Sequence, residues 1–176
     1  MRIALGVAAM MAGLALAGCQ STQSPSVVAT KASFDNREAA FIKKRGEGKI
    51  AGHAFWRTTD GGTQNASGEI IRLVPVTAYS RERFSALYAG RRSVPAGSIP
   101  KVDADPAYAD YTRTTRAESS GRFEFGDVAP GDYYVTAQVV WKDKKAFVSQ
   151  GGAMFDVVTV TGKEDGPIKL VLTNDR

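Results

Sequence analysis

The sequence predicts an all-β fold, a single antiparallel β-sandwich of about seven strands with a short N-terminal helix and a partly helical insertion. Three observations indicate this fold. From residue 49 onward, short runs rich in β-branched and aromatic residues are separated by Gly, Asn, Asp and Pro. Within several runs, apolar and polar residues alternate with the period of a half-buried strand. Long stretches with the apolar spacing of a helix are almost absent.

The first element is the helix. It is expected to begin at Ser33 or Asp35, since NREAAFIKKR has small and apolar residues near one face and basic residues in its last turn. Gly46 and Gly48 follow as stops. The predicted strands are then 49–57, 69–79, 113–118, 122–125, 132–142, 145–150, 154–161 and 168–173, with a turn at 60–68.

The most patterned stretch is GRFEFGDVAPGDYYVTAQVVW, residues 121–141. Phe123 and Phe125 alternate with charged residues, so one face of that strand is expected to point into the core. Pro130 and Gly131 stand in the order that a type II turn requires. The strand beyond alternates from Tyr133 onward, with its odd-numbered residues on one face. The stretch therefore predicts two strands and needs no catalytic role.

This pattern resembles the carboxypeptidase regulatory-like domain. That family has a strand of the form GRFxF, a PPGxY-like turn and an apolar strand, and KIAGHAF and EIIRLVPVTAY are similar to its earlier strands. The resemblance covers residues 48–79 and 113–173. It implies an immunoglobulin-like or transthyretin-like (prealbumin-like) β-sandwich that is not itself catalytic. It is specific for the fold and weak for the function.

Residues 80–112 form an insertion that the family pattern lacks. The segment begins with helical spacing, contains three prolines, and is too long for a hairpin loop. Because Tyr and Arg dominate interaction hot spots, this segment is the candidate partner-binding surface. Its candidate residues are Tyr79, Arg81, Arg83, Tyr88, Arg91, Arg92, Tyr108 and Tyr111. We expect its removal between residues 83 and 105 to leave the sandwich folded, with all strands outside the cut.

The N-terminal residues resemble the export signal of a bacterial lipoprotein. Arg2 precedes an apolar run that is too short to span a bilayer, and LAGC ends in the single cysteine, Cys19. The resemblance implies a signal peptide at 1–18, cleavage before Cys19 and acylation (palmitate) of that residue. Residues 19–32 then form a flexible tether to a domain at 33–176. Gln20 favours the outer membrane over the inner membrane, since Asp at this position commonly marks inner-membrane retention.

Candidate catalytic chemistry is sparse. His53 is the only histidine, the one cysteine is assigned to lipid, and the sequence has no GxSxG motif. Asp103, Asp105 and Asp110 lack the spacing of a calcium loop. No catalytic residue, metal ligand or cofactor is therefore predicted. A net charge of +5 without a long basic run argues against a nucleic-acid partner.

These observations predict a non-enzymatic lipoprotein of the bacterial cell envelope. It is expected to contact the membrane through the lipid on Cys19 and to bind or position an envelope protein or a glycan. Two alternatives stay open. One is a hydrolase or metal-dependent enzyme that uses His53 and an acid of the insertion, and the other is a structural spacer with no ligand.

Overall fold

The computed structural model describes residues 30–143 and 147–175, and the predicted lipidation site at Cys19 lies outside these residues. Strand and helix bounds in the described part are as follows. The strands are β1 (Arg45–Arg57), β2 (Thr63–Asn65), β3 (Ile70–Pro75), β4 (Ser93–Pro95), β5 (Arg113–Arg116), β6 (Arg122–Val128), β7 (Gly131–Trp141), β8 (Gln150–Val160) and β9 (Ile168–Leu172). The α-helices are α1 (Asn36–Ala39) and α2 (Ala78–Tyr88), and 3-10 turns cover Ala40–Lys43, Ala96–Ser98 and Pro106–Tyr111.

The strands form two sheets. In the first, β1 pairs with β2 and β6 in antiparallel fashion and with β9 in parallel. The second has the order β4-β8-β7-β3-β5, and all its pairs are antiparallel. The β7–β8 pair is the longest, from Gly131 opposite Val160 to Trp141 opposite Gln150. The predicted all-β sandwich is confirmed.

The main core lies between the two sheets and follows the alternation of the sequence. On β6, Phe123 and Phe125 are buried, whereas their charged neighbours are exposed. On β7, the odd-numbered residues from Tyr133 to Val139 are buried. The even-numbered residues of β7 therefore face outward from the five-stranded sheet, on the side that helix α2 covers.

The turn between β6 and β7 differs from the expected type II turn. Gly131 has a φ of 153°, not the value near +80° of the third residue of such a turn. Glycine is needed here for another reason, since a Cβ at Gly131 would lie 2.4 Å from the Phe41 ring. Phe41 packs against Tyr133, whose hydroxyl donates a hydrogen bond of 2.7 Å to the carbonyl of Ala129. The N-terminal 3-10 turn thus closes this end of the sandwich.

Three local expectations are wrong. The strand expected at 69–79 ends at Pro75, because Thr77 caps α2. The sequence predicts a strand at 145–150, but residues 147–149 do not belong to any strand. Strand β8 begins only at Gln150. The turn region 60–68 contains the short strand β2, which pairs with the end of β1. The N-terminal helix is confirmed, although most of its second half is a 3-10 turn.

The insertion at 80–112 is built into the fold. Its strand β4 extends the five-stranded sheet by pairing with β8, with Val94 opposite Ala153. Helix α2 covers the outer face of that sheet and forms a second buried cluster there. The expectation that all strands lie outside this segment is therefore wrong, because a three-residue strand carries too little pattern to be recognised in sequence.

Candidate binding groove beside helix α2

Helix α2 is fixed at its start by a capping box. The hydroxyl of Thr77 accepts a hydrogen bond of 3.1 Å from the backbone N–H of Ser80. The hydroxyl of Ser80 accepts one of 2.8 Å from the N–H of Thr77 and donates one of 2.8 Å to the carbonyl of Pro75. Both side chains are buried. These bonds satisfy helix N–H groups that would otherwise lack partners, and they join the helix directly to the end of β3.

Helix α2 ends in a left-handed turn. Ala89 and Gly90 have φ values of 48° and 79°. This conformation is costly for alanine, because its Cβ approaches the following carbonyl oxygen. The turn returns the chain to the sheet, where the carbonyl of Arg92 accepts a hydrogen bond of 3.0 Å from the backbone N–H of Phe155. Arg91 and Arg92 are thereby placed next to β8.

An aromatic cluster joins α2 to the sheet. Phe84 and Tyr88 on the helix are buried, and Tyr134 and Phe155 on β7 and β8 are partly buried. The ring of Phe84 is stacked on that of Tyr134, with centroids 4.0 Å apart. Phe155 meets Phe84 edge-on at 5.1 Å and Tyr88 at 4.5 Å. Tyr134 and Phe155 are thus partly exposed residues at the edge of a buried cluster.

A groove of about 340 Å³ runs along this cluster. One wall comes from α2, the floor from β7 and β8, and the mouth from the residues after the helix. Its lining residues are Arg81, Phe84, Ser85, Tyr88, Gly90, Arg91, Arg92, Tyr134, Phe155 and Val157. The volume lies at the lower end of the usual range for small-molecule sites, about 300 to 1,000 Å³. The groove combines aromatic rings with three arginines.

The three arginines differ in their partners. Arg92 forms an ion pair of 3.1 Å with Asp156 and lies over the Phe155 ring at 5.2 Å. Arg81 and Arg91 are exposed, and within the described part of the chain their guanidinium groups have no hydrogen bond or ion pair. Two arginines that line the groove, Arg81 on α2 and Arg91 after it, are therefore available to a ligand.

The tyrosines of the cluster are uncharged at neutral pH. Burial raises the pKa of Tyr88 to about 12, against a smaller opposite effect of its hydrogen bond to Thr136. Burial also raises the pKa of Tyr134, and the charges of Arg81 and Arg92 partly offset the change. Both hydroxyls keep their protons. Tyr88 uses its own in a 2.9 Å hydrogen bond to the Thr136 hydroxyl, which donates in turn to the carbonyl of Met154.

A second groove of about 280 Å³ lies on the other side of α2. It is lined by Arg72, Val74, Arg83, Phe84, Leu87, Tyr88, Tyr108, Thr136 and Gln138. Its arginine from the helix is already occupied, since Arg83 donates hydrogen bonds to the carbonyls of Val102 at 3.0 Å and Asp103 at 2.8 Å. This groove has one arginine without a described hydrogen bond or ion pair, Arg72, whereas the first groove has two.

The candidate binding residues expected from the sequence fall into two groups. Arg81, Tyr88, Arg91 and Arg92 come together around the first groove. The other four, namely Tyr79, Arg83, Tyr108 and Tyr111, take part in packing and loop contacts. Tyr79 is buried, and its hydroxyl accepts a hydrogen bond of 2.7 Å from the backbone N–H of Asp105.

Sequence reasoning missed Tyr134, Phe155 and Ser85 as groove residues. The signal for Tyr134 was present, because the alternation of β7 places its even-numbered residues on the outer face. An aromatic ring on the outer face of a strand indicates either a covering element or a ligand. Here the Phe84 ring of α2 stacks on Tyr134, and Tyr134 also lines the groove.

Another groove, of about 390 Å³, lies at the N-terminal 3-10 turn. Three of its four cations have protein partners, and Lys44 has none among the described residues. Lys43 lies 3.8 Å from the centre of the Tyr111 ring, and Arg45 pairs with Asp127 at 3.2 Å. Arg113 donates to the carbonyls of Gly126 and Asp127. Size alone therefore does not mark the best site.

His53 lies on the four-stranded sheet and is not brought to an acid of the insertion. Its Nε2 is 2.8 Å from the carbonyl oxygen of Ser120, and its ring contacts Phe55. The groove that it lines contains no carboxylate among the described residues. In the same residues, no group of three potential metal ligands comes together. None of the helices within 30–143 and 147–175 is long and apolar enough to cross a membrane.

Comparison by sequence with models of protein families and with curated proteins finds no match. Among solved structures, the chain is similar to a protein from Pseudomonas aeruginosa whose crystal structure is described as that of a "putative carbohydrate binding protein". The two chains are 27% identical with a TM-score of 0.67. The match covers 81% of this chain and 98% of the Pseudomonas chain. The likeness thus extends over nearly all of that protein and supports the β-sandwich architecture.

Proposed function

We propose that this protein is a non-enzymatic carbohydrate-binding module and that the sugar occupies the groove beside α2. The observation that carries the proposal is the meeting of partly accessible rings, Tyr134 and Phe155, with two unpaired arginines, Arg81 and Arg91, in one groove. The similarity to the Pseudomonas protein supports the same class of ligand.

The chemistry of a sugar fits this arrangement. A pyranose ring has apolar C–H faces and a rim of hydroxyls, so it is best bound by an aromatic surface flanked by polar donors. Tyr134 and Phe155 supply the aromatic surface. Arg81 and Arg91 supply N–H donors in a fixed planar geometry. A guanidinium group has no hydrogen-bond acceptor, so it can only donate to the sugar hydroxyls. The groove volume suits a mono- or disaccharide unit of a longer glycan.

The composition of the groove favours binding over bond cleavage. Hydrolysis of a glycosidic bond ordinarily needs two carboxyl groups on either side of the scissile bond. The lining of this groove contains no Asp, Glu, His or Cys among the described residues. Asp156, next to the groove, is engaged by Arg92. The residues present can hold a sugar, and they supply no general acid or base.

The test is a glycan-binding screen with a chain that begins at Gln20, which retains every contact of the described domain. We expect one or more glycans to bind, and the Phe155→Ala variant to lose at least about tenfold in affinity, equivalent to roughly 1.4 kcal/mol. Phe55→Ala is the matched control, because Phe55 is also a partly buried phenylalanine on a strand but lies on the other sheet. Thermal melting must show that both variants fold.

Two results would overturn the proposal. One is the absence of binding to every glycan tested, which would leave the spacer hypothesis in place. The other is binding that Phe155→Ala leaves unchanged while Phe55→Ala weakens it, since this would put the sugar on the four-stranded sheet.

We also propose that the protein is a lipid-anchored lipoprotein of the bacterial cell envelope, with the outer membrane favoured, and that its sandwich is of the carboxypeptidase regulatory-like type. The LAGC sequence ending at Cys19 supports the first part, and the GRFEF and APGDYYV segments support the second. The Cys19→Ser variant should take up no labelled palmitate and should leave the membrane fraction. Palmitate labelling of this variant equal to that of the natural chain would contradict the anchor.

A further inference from the structure

We propose, building on the proposed carbohydrate-binding function, that the ligand of the α2 groove is an anionic glycan, with a carboxylate or phosphate group held by Arg81 and Arg91. The shared chemistry is a sugar ring that carries an oxyanion. Neutral sugars would use the same rings but leave the two guanidinium groups without an anion.

The charge around the groove is the first argument. Three arginines line it, and one carboxylate, Asp156, lies beside it. That carboxylate is engaged by Arg92 at 3.1 Å, and it also accepts a hydrogen bond of 2.9 Å from the backbone N–H of Val157. Arg81 and Arg91 form no ion pair with any described residue. An anion between them would form charge-assisted hydrogen bonds, which are stronger than those to a neutral hydroxyl.

The second argument compares the cations of the other grooves. In the basic cluster near the N-terminal 3-10 turn, Arg45 has a carboxylate partner and Lys43 an aromatic one. On the other side of α2, Arg83 is tied to two backbone carbonyls. Lys44 and Arg72, which line those two grooves, also have no described hydrogen bond or ion pair, so the groove beside α2 differs in having two unpaired arginines together with Tyr134 and Phe155.

Backbone geometry holds one of these cations in place. The left-handed pair Ala89 and Gly90 reverses the chain directly after α2, and the hydrogen bond from Phe155 to the carbonyl of Arg92 ties the next segment to β8. Arg91 lies between these two constraints. A non-glycine residue in the left-handed region costs free energy, and such strain is retained where the surrounding structure fixes it. Arg91 is thus presented from a restrained backbone.

The arrangement also separates two roles. The rings of Tyr134 and Phe155 recognise a sugar face regardless of charge, whereas Arg81 and Arg91 distinguish an acidic from a neutral sugar. Arginine suits this second role, because its planar fork matches a carboxylate or a phosphate with two parallel hydrogen bonds. The interaction takes place at the mouth of the groove, so salt should weaken it.

The test uses matched probes on the chain that begins at Gln20, measured by calorimetry. Trigalacturonic acid is compared with its methyl ester, which has the same rings without the negative charges, and glucose 6-phosphate is compared with glucose. For each acidic probe that binds, we expect an affinity at least about tenfold higher than that of its neutral partner. This factor is the one expected when a hydrogen bond gains a charged partner. Raising the salt concentration should reduce this difference.

The variants locate the effect. Arg81→Ala and Arg91→Ala should each weaken binding of the acidic probe more than binding of its neutral partner, and so reduce the preference for the acidic probe. Arg122→Ala is the control, since Arg122 is an exposed arginine on β6 of the other sheet. A preference for galacturonate over the phosphate, or the reverse, identifies which oxyanion is bound, and either supports the proposal.

Different results would contradict the anionic ligand and the carbohydrate-binding function. Equal affinity for the acid and its methyl ester, with loss of both in Phe155→Ala, would overturn the anionic ligand and leave carbohydrate binding intact. A charge preference that persists in both arginine variants would also overturn the inference. No binding of any acidic or neutral sugar would overturn the proposed function itself.

Discussion

The aromatic ring of Phe84 on α2 lies nearly parallel to that of Tyr134 on β7, with a centroid distance of 4.0 Å and an angle of 11° between the planes. This stack joins the insertion to the outer face of the five-stranded sheet. The segment is therefore a third layer of the fold, and the groove beside α2 has one wall in that layer and its floor in the sheet. Binding and stability are expected to share these residues.

Truncation of Phe84 tests the third layer. Phe84→Ala should lower the free energy of unfolding by about 3 to 5 kcal/mol, because it removes a buried ring from a packed cluster. Urea denaturation gives the value. Phe147→Ala serves as the control, since the Phe147 side chain is 99% exposed, and its effect should stay within about 0.5 kcal/mol. Similar effects of the two substitutions would mean that α2 is not packed on the sheet.

Excision of the insertion gives a larger effect. Replacement of residues 83–105 by a Gly-Ser linker removes β4 together with the buried Phe84, Tyr88 and Val94. Each loss of a buried ring costs about 3 to 5 kcal/mol, and the total stability of a domain is about 5 to 15 kcal/mol. The shortened chain should show no cooperative thermal transition by circular dichroism. A transition at the temperature of the full chain would restore the original expectation that the segment is dispensable.

The left-handed turn after α2 can be tested by a stabilising change. Ala89→Gly should raise the free energy of unfolding by about 1 kcal/mol, since glycine adopts positive φ without the steric conflict of a Cβ. Ala86→Gly, within the same helix, is the matched control and should lower it by about 1 kcal/mol. Destabilisation by both substitutions would show that Ala89 is not in the left-handed region in solution.

The turn between β8 and β9 predicts a dependence on pH. Hydrogen bonds from the Thr161 hydroxyl and from the backbone N–H groups of Thr161 and Gly162 lower the pKa of Glu164 from 4.5. A lowered pKa in the folded state stabilises the protein above pH 4.5, and this contribution is lost as pH falls through the folded value. Glu164→Gln should therefore be less stable than the natural chain at pH 7.

The difference between the two proteins should shrink below pH 4.5. Thermal denaturation from pH 7 to pH 3 measures it, and Glu124→Gln, at an exposed position on β6, is the control. A stability difference for Glu164→Gln that stays constant over this range would argue against the ionised carboxylate as its source.

Much of the sandwich could be predicted because its strands carry a clear alternation. The inward positions of Phe123, Phe125 and Tyr133 follow directly from the period of two. The strand ends that were predicted wrongly are those set by local hydrogen bonds. The capping box of Thr77 and Ser80 starts α2 inside the stretch expected as a strand, and the apolar residues of VPVTAY do not show where the strand ends and the helix begins.

The site was predicted only in part. Arginine and tyrosine content drew attention to residues 80–112, which include Arg81 and Arg91 at the groove. The other half of the groove comes from Tyr134 and Phe155, which are distant in sequence from the insertion and belong to strands β7 and β8 of the sandwich. Their role depends on where α2 packs, and that contact is a tertiary property. Sequence spacing could not separate Arg83, which binds backbone carbonyls, from Arg81, which does not.

The most direct test of the account is to locate the bound sugar by NMR. Backbone amide shifts of the chain that begins at Gln20 are followed during titration with the tightest-binding glycan from the screen. The account predicts that the largest changes fall on Ser85, Arg91, Arg92, Tyr134 and Phe155, around the groove beside α2. Changes centred on His53 and Lys169, on the four-stranded sheet, with the α2 groove unaffected, would contradict it.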